Sequence, residues 1–227
     1  MRYFKGKQFN KDIILVAVGY YCRFSLSYRD VSEILKERVI SVHPTTIMRW
    51  VHEYDNLIYQ IWKKKYKSSY RVWHLDETYI KVRGKWCYLY SAIDGDGHTL
   101  DIHLRKTRDH QAAYMFIKRL IKAFGEPAVL TTDKAPPLLC AFKKLQKDDF
   151  SHTKYCTVKH LNNLIEQDHR HVKLRFAKSS GFQTIRHASR TIKGIETMQA
   201  IYKQRRSLKS DSVFSVYKEL QKLVAIA

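Results

Sequence analysis

The sequence predicts an α/β protein in which a helical segment precedes a mixed β-sheet and further helices end the chain. Apolar residues recur at helical spacing up to about residue 60, and strand-like alternation begins after Tyr70. Helical spacing then returns and continues towards the C-terminus. From these changes we predict three parts, residues 1–68, 69–180 and 181–227, with the last part packing on the second.

The first part has the pattern of three helices. Apolar residues recur at helical spacing from Ile13 to Tyr21. Ser27 is a favourable N-cap for a second helix, and Asp30 adds favourable negative charge to its first turn. Pro44 suits the first turn of a third helix, because proline lacks an N–H that would be unpaired there.

Three helices in this order outline a helix-turn-helix, whose third helix enters the major groove of DNA through its first residues. On this interpretation Thr45, Thr46 and Arg49 contact DNA. A plain three-helix bundle is the alternative, because the turn at residues 36–42 lacks the glycine often found in the motif.

The second part begins with three predicted strands at residues 72–82, 86–93 and 99–104, which turns join into an antiparallel meander. A helix at 109–124, a short strand ending at Asp133, a helix at 136–145, a strand near Tyr155 and a helix carrying Glu166 follow. Two further helices are predicted at 184–205 and 212–224. This order is that of the ribonuclease H-like fold, a mixed sheet with helices on both faces.

Three acidic residues occupy positions in this fold at which they can converge on a pair of divalent metal ions. Asp76 lies within a strand, Asp133 ends a strand and Glu166 lies on a helix. Two hard cations held by carboxylates are suited to breaking and joining phosphodiesters, with Asp76 bridging both ions. A chance grouping among the 21 acidic residues is the alternative. Glu77 points to the opposite face of its strand, and Asp94, Asp96 and Asp101 suit turns or the surface.

The helix with Glu166 also carries basic residues for DNA. Helical spacing puts Arg170 and Lys173 on the side of Glu166, so Lys173 is placed to contact a phosphate near the metals. The same side is predicted to include Asn162, Asn163 and His169. The other side, predicted to pack on the sheet, carries Leu161, Leu164, Ile165 and Val172, and Asp168 lies too close to it to be a ligand.

The charge of the chain favours a polyanionic partner. Lys and Arg number 42 against 21 acidic residues, a net charge of +21, which exceeds what solubility requires and favours DNA or RNA. The sequence has no bilayer-spanning apolar run and no signal-peptide core, so we expect a soluble intracellular protein with no membrane partner. Four scattered cysteines without a C-x-x-C pair favour free buried thiols in a reducing cytosol: Cys22, Cys87, Cys140 and Cys156.

The segments around the three acids resemble the catalytic blocks of DDE transposases from insertion sequences, most closely the insertion-sequence-six family. Residues 73–86, WHLDETYIKVRGKW, are similar to the first block, and residues 132–136, TDKAP, to the second. Residues 162–170, NNLIEQDHR, followed by Lys173, are similar to the third. Residues 26–30 and 46–51 resemble the helix-turn-helix of that family.

This resemblance implies a transposase that binds the terminal inverted repeats of an element, cleaves to expose 3′-hydroxyls and joins them to target DNA, forming cointegrates. It also implies two Mg²⁺ or Mn²⁺ ions, with Asp76, Asp133 and Glu166 as catalytic ligands and Lys173 as a DNA contact. We further expect the bacterial cytoplasm, association with the nucleoid and at least a dimer, because two ends are joined. The alternatives are a DNA-binding regulator with an inactive catalytic scaffold and a ribonuclease H-like nuclease.

Overall fold

The computed structural model describes residues 2–65, 71–133, 135–147, 152–157, 163–177, 181–207 and 216–225. The chain divides into two compact units, one formed by Met1–Tyr66 with Arg186–Ala227 and the other by Lys67–Ile185. Among the described residues, no helix combines the length and apolar character that crossing a bilayer requires. Cys22 and Cys87 are buried, as the sequence predicts, whereas Cys140 is exposed and Cys156 is half-buried.

The helices and strands follow the predicted order closely. A short 3₁₀ turn at Arg2–Phe4 precedes them. In chain order they are α1 (Lys11–Arg23), α2 (Tyr28–Lys36), α3 (Pro44–Lys65), β1 (Val72–Val82), β2 (Lys85–Asp94), β3 (Thr99–Arg105), α4 (His110–Phe124), β4 (Val129–Thr132), α5 (Pro136–Lys147), β5 (Lys154–Cys156), α6 (Asn163–Asp168), α7 (Arg170–Ala177), α8 (Ile185–Ser207) and α9 (Val216–Ala225). The predicted start of the last helix, at Ser212, lies outside the described residues.

The N-cap predicted at Ser27 is confirmed. The Ser27 hydroxyl accepts a hydrogen bond from the Asp30 backbone N–H at 3.1 Å, and the Asp30 carboxylate accepts one from the Ser27 N–H at 2.7 Å. This reciprocal arrangement satisfies two donors at the start of α2.

The turn after α2 shows what replaces the missing glycine. Ile40 N–H donates to the Leu35 carbonyl at 3.0 Å, and Val39 N–H donates to the Lys36 carbonyl at 2.9 Å. These two bonds form a Schellman motif, whose left-handed position glycine usually occupies. Here Val39 occupies it, with φ of 62° and a side chain that is 95% exposed. A β-branched residue is strained at such a φ, so the turn keeps its form at a cost in stability.

The position of the last two helices corrects one prediction. The sequence predicts that residues 181–227 pack on the second part, residues 69–180, but α9 and α8 from Arg186 onwards group with the N-terminal helices. Gln221 of α9 donates a hydrogen bond to Asp12 of α1 at 3.2 Å, and the His187 ring of α8 stacks on His52 of α3 at 4.2 Å. Helical periodicity shows which face of a helix is buried and leaves its packing partner open, which is why the sequence misplaced these helices.

A buried acid lies where α3 and α8 approach each other. Asp55 of α3 is fully buried and accepts a hydrogen bond from the Cys22 thiol of α1 at 3.1 Å. Gly194 of α8 faces it so closely that a Cβ on Gly194 would lie 2.3 Å from the Asp55 Cγ. Any larger residue at position 194 would overlap Asp55, so glycine permits this approach.

The second unit is built on a five-stranded sheet with the order β3-β2-β1-β4-β5. The first three strands pair antiparallel, whereas β4 pairs parallel with β1, and β5 pairs parallel with β4. This mixed sheet confirms the predicted ribonuclease H-like architecture. A two-residue turn joins β1 to β2, and its residues Arg83 and Gly84 both have positive φ, of 51° and 73°. Positive φ at both positions is the type I′ geometry, which matches the twist of a β-hairpin.

Helices cover both faces of this sheet. Trp73 and Leu75 of β1 point into a core that also contains Phe116 of α4 and Leu138 of α5. Successive residues of a strand alternate between faces, so Asp76 belongs to the opposite face, where α6 packs against β1 and β2. The face that carries Asp76 and the main core therefore share the same strand.

Candidate active site

The parallel pairing of β1 and β4 brings Asp76 and Asp133 together. Leu75 pairs with Thr132 in this register, so the next residue of each strand is one of the two acids. The Asp133 side chain accepts a hydrogen bond from the Ala135 N–H at 3.0 Å, which holds it at the end of β4. The neighbouring residue Lys134 lies outside the described residues.

Glu166 joins these acids from α6. Burial raises the pKa of Asp133, and the negative charges of Asp76 and Glu166 raise it further. The charges of Asp76 and Glu166 therefore both act on Asp133, although 32 residues lie between Asp133 and Glu166. Glu166 is exposed, and the neighbouring Ile165 is fully buried and anchors its helix to the sheet.

His169, between α6 and α7, contacts Asp76. Its Nδ1 lies 3.3 Å from the Asp76 Oδ2, and the His169 side chain is 1% exposed. The sequence placed His169 on the side of Glu166, yet His169 lies in the buried stripe with Asp168 and Val172. Leu164, expected to pack on the sheet, is 39% exposed, because the helical stretch is rotated from the predicted orientation. Asn163 is exposed, and Leu161 and Asn162 lie outside the described residues.

A second ion pair lies on the other face of β1. Glu77 is buried on the face opposite Asp76, as predicted, and contacts the guanidinium of Arg108 from the loop before α4. Burial raises the pKa of Glu77, and Arg108 partly offsets that effect. Arg108 also lowers the pKa of Asp133, so its charge reaches the acids. Sequence reasoning missed Arg108, although a charged residue on the core face of a strand signals that a partner is needed.

Tyr155 of β5 supports the strand that ends at Asp133. The Thr132 hydroxyl donates to the Asp133 carbonyl at 2.7 Å and lies 2.6 Å from the Tyr155 hydroxyl. Tyr155 is therefore the donor to Thr132, and burial raises the pKa of the Tyr155 phenol. These hydrogen bonds hold the backbone of Thr132 and Asp133 in place at the end of β4.

The acids predicted as turn residues occupy the β2–β3 turn. The buried Asp94 accepts hydrogen bonds from the backbone N–H groups of Asp96 and His98, at 3.0 and 2.8 Å. Potential metal-binding atoms of Asp94, Asp96 and His98 all lie within 4.8 Å of one another. The hydrogen bonds account for this closeness as turn geometry. Asp101, also set aside as a turn or surface residue, is buried and forms an ion pair with Arg119 at 2.9 Å.

The basic residues predicted to contact DNA belong to different units. Arg170 and Lys173 are exposed on α7, in the sheet unit with the three acids. Thr45 and Arg49 are exposed and Thr46 is half-buried in the first turns of α3, in the helical unit.

Comparison with known proteins places this arrangement in a family. A family model described as a DDE domain matches residues 70–205. The chain is 58% identical over 210 residues to the transposase for insertion sequence-like element IS431mec of Staphylococcus aureus, and 92% of each chain is covered. The same identity and coverage relate it to the transposase for insertion sequence element IS257 in transposon Tn4003, also from Staphylococcus aureus.

Two solved structures are more distantly similar. The catalytic core domain of BIV integrase is 14% identical with a TM-score of 0.44, covering 70% of this chain and 98% of that one. The catalytic core domain of HTLV-2 integrase, in a trimeric form with magnesium, is 18% identical with a TM-score of 0.42, covering 56% and 84%.

The family match spans more than half of the chain, and the identity to the staphylococcal transposases extends over nearly its full length. The matched region contains all three acids and the strands and helix that carry them. This chain belongs to the DDE transposases of insertion sequences, in the insertion-sequence-six family.

Proposed function

We propose that this transposase binds the terminal inverted repeats of its element, cleaves to expose 3′-hydroxyls and joins those ends to target DNA, forming cointegrates. The observation that carries the proposal is the placement of the three acids: Asp76 and Asp133 follow directly after the paired Leu75 and Thr132, and the helix that carries Glu166 packs against β1. Separate elements have little reason to bring three acids together unless a cation neutralises them.

The donor chemistry of the three acids fits Mg²⁺ or Mn²⁺. Carboxylate oxygens are the hard ligands that these ions prefer. The raised pKa of Asp133, from burial and then from Asp76 and Glu166, indicates negative charge that a cation would compensate. Two such ions, held by the three acids, would suit phosphoryl transfer.

The residues of the proposed site have different roles in phosphoryl transfer. Asp76, Asp133 and Glu166 would hold the ions, which when bound activate the attacking oxygen and stabilise the leaving one. His169 orients Asp76 from the buried side of α6 and α7. Arg108, held by Glu77, supplies positive charge beside Asp133. Arg170 and Lys173 contact the phosphates of the bound strand from the exposed side of α7.

End recognition is assigned to the helical unit. The first turns of α3 present Thr45, Thr46 and Arg49 as the residues that enter the major groove, in the manner of a helix-turn-helix. Joining two ends in one reaction requires at least two copies of the chain. The net charge of +21 favours DNA binding by both units.

A strand-transfer assay tests this proposal. The protein is incubated with inverted-repeat DNA, a target plasmid and Mg²⁺, and joined 3′ ends are measured. Asp76→Asn is expected to abolish joining, because an amide is a poor ligand for a hard cation. Asp96→Asn, which changes an exposed acid in the same unit, is the matched control and should join normally.

The other outcomes point to other functions. Binding to the repeat without metal-dependent chemistry would indicate a DNA-binding regulator. Cleavage without joining would indicate a nuclease. Equal joining by the wild type and Asp76→Asn would remove Asp76 from the site.

A further inference from the structure

We propose that one end of the β-sheet is a binding surface for single-stranded DNA. The proposal rests on the proposed function in DNA transfer and adds to it the form of the strand that is bound. This surface, which we call the aromatic platform, consists of three rings and three cations: Tyr79, Lys81, Trp86, Tyr88, Arg105 and Arg108.

Strand pairing places the platform residues side by side. Tyr79 of β1 pairs with Tyr88 of β2, which in turn pairs with Arg105 of β3. The next row towards the hairpin turn consists of Lys81 and Trp86. Residues directly opposite each other in an antiparallel pair share a face, so both rows belong to one face of the sheet.

The platform is exposed because the helices cover only part of this face. The buried side chains of α4 and α5 pack on Trp73, Leu75 and Tyr90, away from the hairpin end of the strands. Beyond them Tyr79 is 49% exposed and Trp86 is 56% exposed. The rings pack on each other, with 5.4 Å between the centroids of Tyr79 and Tyr88 and 6.2 Å between Tyr79 and Trp86. Exposed large aromatic side chains grouped in this way indicate a binding surface.

Cations accompany the rings. The Lys81 ammonium lies 4.8 Å from the centroid of the Trp86 ring, and the Arg108 guanidinium lies 6.0 Å from that of Tyr79. Arg83 and Lys85 in the hairpin turn are exposed as well. The acid nearest to these rings in the strand, Glu77, is buried and contacts Arg108. The surface is therefore complementary to a polyanion.

Arg108 connects the platform to the catalytic acids. It contacts Glu77, the neighbour of Asp76, and its charge acts on Asp133. Tyr79 lies three residues beyond Asp76 in the same strand, which corresponds to about 10 Å, and its side chain points to the opposite face of the sheet. The platform is therefore a surface separate from that of the three acids, and Arg108 is the platform residue whose charge acts on Asp133.

The chemistry of the platform favours a single strand over a duplex. A base can stack on an aromatic ring only when its own face is free, and in a duplex neighbouring bases cover those faces. Rings that stack bases, interspersed with cations that contact phosphates, are the usual means of binding single strands. Double-stranded DNA would use the cations and leave the rings unused.

Binding of a labelled oligothymidylate in EDTA tests the proposal without any cleavage. Trp86→Ala should weaken its affinity roughly tenfold, since stacking of one base is worth about that factor. Trp86→Phe should retain affinity, because it keeps a ring. Lys81→Ala should reduce the slope of log affinity against log salt by about 0.7, the value for one phosphate contact on a single strand. Met115→Ala, which removes an exposed apolar side chain of α4 in the same unit, should change nothing.

Tryptophan fluorescence supplies a second measurement. The chain has four tryptophans, and Trp86 is exposed whereas Trp50, Trp62 and Trp73 are buried. Stacking of a base on Trp86 should therefore quench the intrinsic fluorescence, and Trp86→Phe should abolish that quenching. Thermal unfolding of each variant shows whether it is folded.

Three results would overturn the proposal. The first is that the wild type and Trp86→Ala bind the single strand with equal affinity, and the second is that Trp86→Ala loses as much affinity for duplex DNA as for the single strand. The third is that Trp86→Ala has a changed oligomeric state and an unchanged affinity for the single strand. The last would identify the platform as a contact between copies of the chain. The proposed function can fail separately, since it depends on joining in Mg²⁺ and on Asp76. Loss of binding in Trp86→Ala would support the platform whether or not joining occurs.

Discussion

Asp55 of the helical unit and the three predicted ligands of the sheet unit have different surroundings. Asp55 is fully buried, accepts a hydrogen bond from the Cys22 thiol and lies against Gly194. In the sheet unit the charges of Asp76 and Glu166 act on Asp133, and Glu166 is exposed. Asp55 is thus enclosed by helices, whereas the three acids of the proposed site include an exposed one and have negative charge that a cation would neutralise.

The largest contrast is expected between Asp133→Asn and Asp55→Asn. Asp133→Asn should abolish strand joining and leave the free energy of unfolding unchanged or higher, because it removes a charge repelled by Asp76 and Glu166. Asp55→Asn should lower the free energy of unfolding by about 1–3 kcal/mol, because a buried hydrogen-bond acceptor is replaced in part by a donor. Urea unfolding and the joining assay measure both. Similar losses of stability in the two variants would break the comparison.

An effect on stability alone, without a loss of joining, is expected from the contact that encloses Asp55. Gly194→Ala should destabilise the protein by roughly 1–3 kcal/mol, since its Cβ would lie 2.3 Å from the Asp55 Cγ and the helices would have to separate. Gly95→Ala is the matched control, because a Cβ there would meet Val72 at an ordinary 3.5 Å. Chemical denaturation compares the two variants. A tolerated alanine at position 194 would show that α3 and α8 pack less rigidly than this contact indicates.

The smallest effect is expected in the turn after α2. Val39→Gly should stabilise the helical unit by about 1 kcal/mol, because it relieves the left-handed strain and removes a side chain that is 95% exposed. Val39→Ala, which keeps a Cβ, should recover little of this gain. The shift in urea midpoint distinguishes them. A loss of stability in Val39→Gly would mean that the turn is held by contacts of the valine side chain.

Local signals in the sequence predicted most of this structure. The alternation from Val72 to Val82, the N-cap at Ser27 and the end of the helix at residue 124 each depend on neighbouring residues, and the structure has all three features. What the sequence missed depends on distant segments: the contact of Arg108 with Glu77 and that of His169 with Asp76. Periodicity predicted the helix at 184–205 and could not identify α3 as its partner.

The grouping of both chain ends in one unit has a consequence for synthesis and for damaged copies of the gene. The sheet unit is continuous in sequence, whereas the helical unit is interrupted by it and needs α8 and α9 to cover α1 and α3. A ribosome therefore completes the sheet before the helical unit can close. A premature stop after the sheet would leave Asp76, Asp133 and Glu166 in place on a protein whose helical unit is unfinished.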